Sequence, residues 1–170
     1  MLESGGIESR QSTHFEQREE PIVRFSRIYP PHYLAISVII ILALDVSVTD
    51  DIFTGWIPYL GLVPVLLGLC MTGYAALQFK RAKTNLVPFS ESTTLVIKGL
   101  YRYTRNPMYV GMTLLLIGLA FLTNTPYGWL VVIVFPIIIH KLFIIKEEQQ
   151  MIDTFGNEYL DYRERVRRWI

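Results

Sequence analysis

The chain has 170 residues, of which 51% are hydrophobic and only 18% charged, below the roughly 25% of an average soluble domain. Sixteen Lys and Arg nearly cancel fifteen Asp and Glu, so no broad basic field exists to hold phosphates. The stretches from Trp56 to Phe79 and from Asn106 to His140 contain no Asp, Glu, Lys or Arg, which disfavours a soluble domain, a disordered chain and a nucleic-acid binder.

In chain order, the first 30 residues are polar and hold five Glu and four Arg, without the apolar core of a secretory signal. Met1 to Glu20 reads as a flexible tail and Pro21–Tyr29 as a surface-lying segment. Residues 1–29 are therefore expected to be a polar cytoplasmic tail, and 30–170 a membrane domain. Tyr33 to Val48 is the first candidate span, opened by Pro30-Pro31 and closed by Asp50-Asp51, with Asp45 in its last turn. Trp56 to Phe79 is the second, and Pro58 and Pro64 predict a bend in it. Pro107 to Leu122 and Tyr127 to Ile145 form a hairpin across the polar break Thr123-Asn124-Thr125-Pro126, with a kink expected at Pro136. Since roughly 20 apolar helical residues cross a bilayer core, the expected fold is all-α: a multi-pass membrane protein of about four transmembrane helices and a C-terminal interfacial helix. Cys70 is the only cysteine, so an intrachain disulfide is impossible, and its apolar surroundings predict a small buried hydrophobe. No metal site of the Cys/His type is expected.

The loops set an orientation. Lys80, Arg81, Lys83, Lys98, Arg102 and Arg105 lie between spans two and three, and Lys141, Lys146 and four Arg follow the start of the last segment. The opposite loops carry Asp50 and Asp51 in one case and no charge in the other. The positive-inside rule then puts both termini and the 80–106 loop in the cytoplasm. Trp56, Tyr59, Tyr127 and Trp129 would form the outer aromatic belt.

Polar groups that a bilayer does not require mark function. They gather in two places. In the first, 95–111, Asn106 before Pro107 reads as a helix cap followed by proline at the first helical position. Free N–H groups there would attract a carboxylate or phosphate, with Arg102 and Arg105 beside them. Gly111 allows a ligand or a neighbouring helix to approach the backbone. The plainer reading is an interfacial cap with aromatic and arginine anchors. In the second, 146–156, Glu147 and Glu148 extend the last span into the cytoplasm, and His140, seven residues before Glu147, would share its helix face. The plainer reading is a solvated helix end. Gly156 looks like a C-cap, and Asn157 would cap a last helix with Tyr159, Tyr162, Val166 and Trp169 on one side.

Taken together, Gly99-x-Tyr-Arg-Tyr-x-Arg-Asn-Pro-x-Tyr-x-Gly111, then Glu147-Glu148, then Phe155-Gly156-x-x-Tyr159-x-x-Tyr162, resemble the isoprenylcysteine carboxyl methyltransferases and related phospholipid N-methyltransferases. Arg81, Thr84, Pro88 and Leu95-Val96 are also similar to bacterial members. The resemblance covers about Lys80 to Val166. Asn106 stands where the family usually has histidine, and Phe143 and Ile144 where an arginine is usual ahead of the Glu pair.

The resemblance implies a cytoplasmic pocket for S-adenosylmethionine. By position it assigns Leu95, Val96, Tyr101, Asn106, Pro107, Tyr109, Gly111, Glu147 and Glu148 to the cofactor, and Arg105 and Glu147 to catalysis. The acceptor would be a lipid-like or isoprenoid small molecule reached from the membrane: the carboxylate of a prenylcysteine-like compound or the amine of a phospholipid. No nucleic-acid partner is expected, and the sequence leaves the oligomeric state open. Two other readings stand beside this one. Membrane sterol reductases use NADPH and share Tyr-x-Gly, but usually follow it with Asp where this chain has Met112. A non-catalytic membrane protein could keep the fold.

Overall fold

The structure is a computed structural model that describes residues 29–47, 51–82 and 94–170. The expected tail and surface segment over 1–28, and Val48, Asp50, Lys83, Thr84 and Pro88, lie outside the described residues. The chain forms α1 (Pro30–Ser47), α2 (Leu62–Arg81), α3 (Pro107–Thr123), α4 (Pro126–Ile139), α5 (Ile145–Phe155) and α6 (Asn157–Arg165). Two 3-10 turns cover Ile57–Gly61 and Gly99–Arg102, and a π-helical turn, His140–Ile144, joins α4 to α5. The described residues contain no strand. An all-helical fold is what lipid demands, because a helix satisfies its own backbone polar groups.

Pro30–Ser47, Ile57–Arg81 and Pro126–Phe155 are long and apolar enough to cross a membrane by length and composition, and α3 is a shorter apolar helix. The protein is thus a multi-pass, all-α membrane protein. The helix Pro126–Phe155 has 30 residues and so a length of about 45 Å, more than the roughly 30 Å apolar core. Its polar α5 end therefore projects beyond the core. Leu66, Leu67, Leu130 and Ile133 are exposed on α2 and α4, as a lipid-facing surface requires. Cys70 shares this outer surface and is exposed rather than buried. The apolar run around it faces lipid, so hydrophobicity there does not mean interior.

The central helix is α3. Met112, Leu116 and Ala120 join Ile41 of α1 and Val132, Phe135 and Ile139 of α4 in one buried cluster. The other side of α3 lies against α2 and the 3-10 turn before it through glycines spaced by seven on each side, Gly61 and Gly68 facing Gly111 and Gly118. A Cβ on Gly68 would lie 2.5 Å from the Gly111 carbonyl oxygen and 2.7 Å from the Leu115 nitrogen. A Cβ on Gly61 would lie 2.7 Å from that of Phe121 and would collide with the Gly118 carbonyl. Without water to squeeze helices together, such close approach supplies the dispersion contact that holds them.

The prolines of the second span act differently from expectation. Pro58 sits in the 3-10 turn and Pro64 in the first turn of α2, where no intrahelical N–H is lost. The expected bend is a 3-10 to α transition. Pro136 is inside α4, and four residues later the ladder widens, with the Ile145 N–H bonded to the His140 carbonyl. Such π turns let a long helix absorb one extra residue. The π turn lies between His140 and Glu147, so the simple seven-residue spacing no longer fixes whether they share a face.

At the other end, Asn124 ends α3 with φ +58, the left-handed region that asparagine tolerates. Its side chain accepts from the Phe53 N–H (2.8 Å) and donates to the Phe53 carbonyl (2.7 Å), which ties the 51–56 loop to the hairpin turn. Trp56, Tyr59 and Tyr127 are exposed at this end. Trp129 instead packs edge-on against Phe121, with ring centroids 5.0 Å apart.

Candidate active site

At the end of the bundle that carries Lys80 and Arg102, the start of α1, the end of α2, the start of α3 and α5 surround a cavity of about 580 Å³. Ligand pockets fall in the range of roughly 300–1,000 Å³. One wall is the 94–106 loop. Gly99 has φ +64, which frees the chain to turn, and Gln78 of α2 clamps the turn: its Nε2 donates to the Lys98 carbonyl (2.9 Å) and its Oε1 accepts from the Leu100 N–H (3.2 Å). This sets Leu95, Val96 and Tyr101 along the cavity.

Tyr101 is 4% exposed, with its ring 5.3 Å edge-on from Phe79. Its backbone carbonyl accepts from the Tyr162 hydroxyl (2.7 Å), but its own hydroxyl is buried without a partner among the described residues. Burial, aided by the nearby Tyr162 and Glu147 groups, pushes the phenol above its ordinary range, so it stays a neutral donor. Burial also pushes Tyr159 up to about 12 and raises Tyr162.

The paired carboxylates have different partners. Glu147 accepts from the Tyr109 hydroxyl at 2.7 Å, which ties α5 to the first turn of α3. Glu148 is 7% exposed and meets two cations. Arg168 grips it with a fork, Nε to Oε1 at 2.8 Å and Nη2 to Oε2 at 2.6 Å, and Arg105 Nη2 lies 3.1 Å from Oε1. The bond to Glu148 raises the Arg168 pKa, so the guanidinium stays charged. Arg105 also donates through Nη1 to the Arg163 carbonyl at 3.2 Å. Its Nε–H is buried and has no partner among the described residues.

The sequence-derived site is largely brought together. Besides Leu95, Val96 and Tyr101, the cavity is lined by Arg105, Asn106, Pro107, Tyr109, Glu147 and Glu148. Gly111 is not among its walls. A Cβ there would lie 2.8 Å from the Gly68 carbonyl and 2.9 Å from the Thr72 nitrogen, so this glycine serves the α2–α3 contact. Asn106 occupies the N-cap position but makes no capping bond with its side chain. Its Nδ2 donates to the Arg168 carbonyl at 2.9 Å instead, because the chain's last residues run alongside it. Asn157 is likewise the first residue of α6, with Gly156 (φ +53) before it and no side-chain cap. Helix α6 stops at Arg165, and Tyr159 and Tyr162 turn into the cavity. Tyr29 to His32, Phe79, Met112, Met151 and Arg168 escaped the sequence reading. The methionines and Phe79 look like ordinary apolar positions, and Arg168 reads as one more terminal cation.

A family model described as phospholipid methyltransferase matches residues 56–158, so the family likeness begins in the second span, earlier than Lys80. Among curated proteins, the Mus musculus protein-S-isoprenylcysteine O-methyltransferase is 32% identical over 117 residues, 65% of this chain and 40% of that protein. Form B of the Arabidopsis thaliana enzyme is 29% identical over 116 residues, 65% of this chain and 57% of that protein. The chain thus spans about 40% of the mammalian relatives' length. A solved structure of the eukaryotic intramembrane Ras methyltransferase, an isoprenylcysteine carboxyl methyltransferase, superposes with a TM-score of 0.65 at 25% identity, covering 82% of this chain and 52% of that one. With a family match over well more than half its residues and the same membrane fold, this chain belongs to the phospholipid methyltransferase family.

Proposed function

We propose that the protein is an integral membrane methyltransferase that takes a methyl group from S-adenosylmethionine and gives it to a lipid-like acceptor. One observation carries the reading: the two halves of the motif, Tyr101 to Tyr109 and Glu147-Glu148, line a single cavity that holds a buried, unpartnered Tyr101 hydroxyl. A carboxylate beside an arginine and aromatic walls suits a ligand with an ammonium, hydroxyls, a carboxylate and a sulfonium. Glu147 would take the amino group or ribose hydroxyls, and Arg105 an anionic group. Tyr101, Tyr109 and Phe79 would face the sulfonium, worth about 0.5–2 kcal/mol each. The described lining has one arginine and no lysine, which suits this donor better than a phosphate-rich dinucleotide such as NADPH.

The bound donor supplies an electrophilic methyl group on a good leaving group. The protein's share is placement, which can lower a barrier by roughly 7–11 kcal/mol. Glu147 is held by Tyr109 and Glu148 by two arginines, and tyrosine and methionine side chains line the walls. The acceptor is the carboxylate of a prenylcysteine-like compound or the amine of a phospholipid. The O-methyltransferase names of the relatives favour the carboxylate. Titrating the detergent-purified protein with S-adenosylhomocysteine and with NADPH tests the donor. Binding of the first alone is expected, and binding of NADPH alone would replace the reading with a reductase.

We also propose that this cavity opens to the cytoplasm, since Lys80, Arg81, Lys98, Arg102 and Arg105 gather at its end. On a Cys70→Ser background, an impermeant thiol reagent added to intact cells should label Asp51→Cys and spare Arg102→Cys. The reverse pattern would invert the topology.

A further inference from the structure

The last residues of the chain, 166–170, are not helical, and Val166 is extended (φ −121, ψ 129). They form a strap beside the loop that leads into α3. The Arg105 N–H donates to the Arg167 carbonyl at 2.9 Å, and the Thr104 hydroxyl (3.2 Å) and Asn106 Nδ2 (2.9 Å) both donate to the Arg168 carbonyl. Trp169 packs against the buried cluster. The strap lies outside the family match, which ends at residue 158.

Its one charged contact with the cavity wall is asymmetric. Arg168 engages both oxygens of Glu148 at 2.6 and 2.8 Å, whereas Arg105 approaches through Nη2 to Oε1 at 3.1 Å. The cluster Arg105–Glu148–Arg168 therefore has two cations for one carboxylate. Arg105 keeps a buried Nε–H with no partner, on a side chain only 9% exposed that lines the cavity. A buried guanidinium donor left open in this way calls for an acceptor oxygen. If the Arg168 fork were absent, Glu148 would be free to take Arg105 as its own bidentate partner, the favoured geometry of that pair.

We infer that Arg168 is a positioning residue: by occupying Glu148 it keeps the Arg105 Nε–H directed to an oxyanion of the bound ligand. That oxyanion is either the carboxylate of the methyl donor or an acidic group of the lipid acceptor. The ligand's identity rests on the methyltransferase reading. The coupling of strap to loop rests on the geometry alone.

The test uses the full chain in detergent, with Arg168→Ala, Arg168→Lys, Glu148→Gln and the double variant Arg168→Ala/Glu148→Gln. Arg168→Ala should weaken one ligand about tenfold, the size of one charge-assisted hydrogen bond, with kcat little changed. A rise in the dissociation constant of S-adenosylhomocysteine identifies the donor's carboxylate, and a rise in the KM for lipid alone identifies the acceptor. Arg168→Lys, which keeps the charge but loses the fork, should recover part of the loss. In the Glu148→Gln background Arg168→Ala should add little, since both act through one contact. Without ligand, trypsin should cut after Arg163, Arg165 or Arg167 faster in Arg168→Ala than in wild type. Folded Arg168→Ala with unchanged affinities, or a loss that is fully additive with Glu148→Gln, would overturn the inference. If wild type binds no S-adenosylhomocysteine, the methyltransferase reading fails, and unchanged trypsin protection in Arg168→Ala would then overturn the strap's role as well.

Discussion

Glu147→Gln should weaken S-adenosylhomocysteine binding by about 1.5–3 kcal/mol, the worth of a hydrogen bond to a charged group, while the protein stays folded. Glutamine has the same shape, and its carbonyl can still accept from the Tyr109 hydroxyl that now bonds Glu147 at 2.7 Å. What is lost is one carboxylate oxygen, replaced by an NH2 donor that cannot accept from a ligand's ammonium or hydroxyl. Glu148→Gln should behave differently, because the Glu148 carboxylate already balances Arg105 and Arg168. Removing that charge leaves two cations side by side, so its melting temperature should fall more than that of Glu147→Gln. Calorimetric titration and melting curves of the two variants check both halves. Equal binding by wild type and Glu147→Gln would remove Glu147 from the ligand site.

Gly68→Ala should lower stability by about 1–3 kcal/mol, the usual cost of forcing a methyl group into a filled interior. The added carbon would lie 2.5 Å from the Gly111 carbonyl oxygen, so α2 and α3 would have to separate. Gly73→Ala, five residues further along the same helix, is the control. Nothing lies within 4 Å of a Cβ there, and alanine favours helix by up to about 1 kcal/mol. Melting temperatures in detergent should therefore move in opposite directions. Because α3 carries Tyr109 and leads from Arg105, a shifted α3 should also reduce affinity for S-adenosylhomocysteine in Gly68→Ala. A Gly68→Ala protein as stable as wild type would show that the α2–α3 contact is looser than it looks.

The spans were legible because charge is sparse in them and collects between them. Pro107, Asn124 and Pro126 mark helix boundaries by backbone chemistry alone, and the structure puts them there. Details that depend on a second segment were not legible. Asn106 has the residue type and position of a cap, yet a carbonyl from residue 168, far along the chain, takes its side chain. Gly111 suits a ligand and a helix equally well, and only the facing Gly68 decides. Periodicity put His140 and Glu147 on one face, but Pro136 and the following π turn change the register. The aromatic stripe of the last segment was visible, whereas its halt at Arg165 and the strap beyond depend on contacts with the 104–106 loop. The apolar neighbourhood of Cys70 says nothing of burial when the solvent on that side is lipid.

The most direct test of a membrane methyltransferase with this cavity as its active site is transfer of label from methyl-labelled S-adenosylmethionine into a lipid extract. Purified wild type and Glu147→Gln would be compared side by side, with the product identified by mass spectrometry. The expected result is a labelled lipid ester or N-methyl lipid with wild type, and little label with Glu147→Gln. A folded wild type that labels no lipid and binds no S-adenosylhomocysteine, or a Glu147→Gln protein that labels as well as wild type, would contradict it.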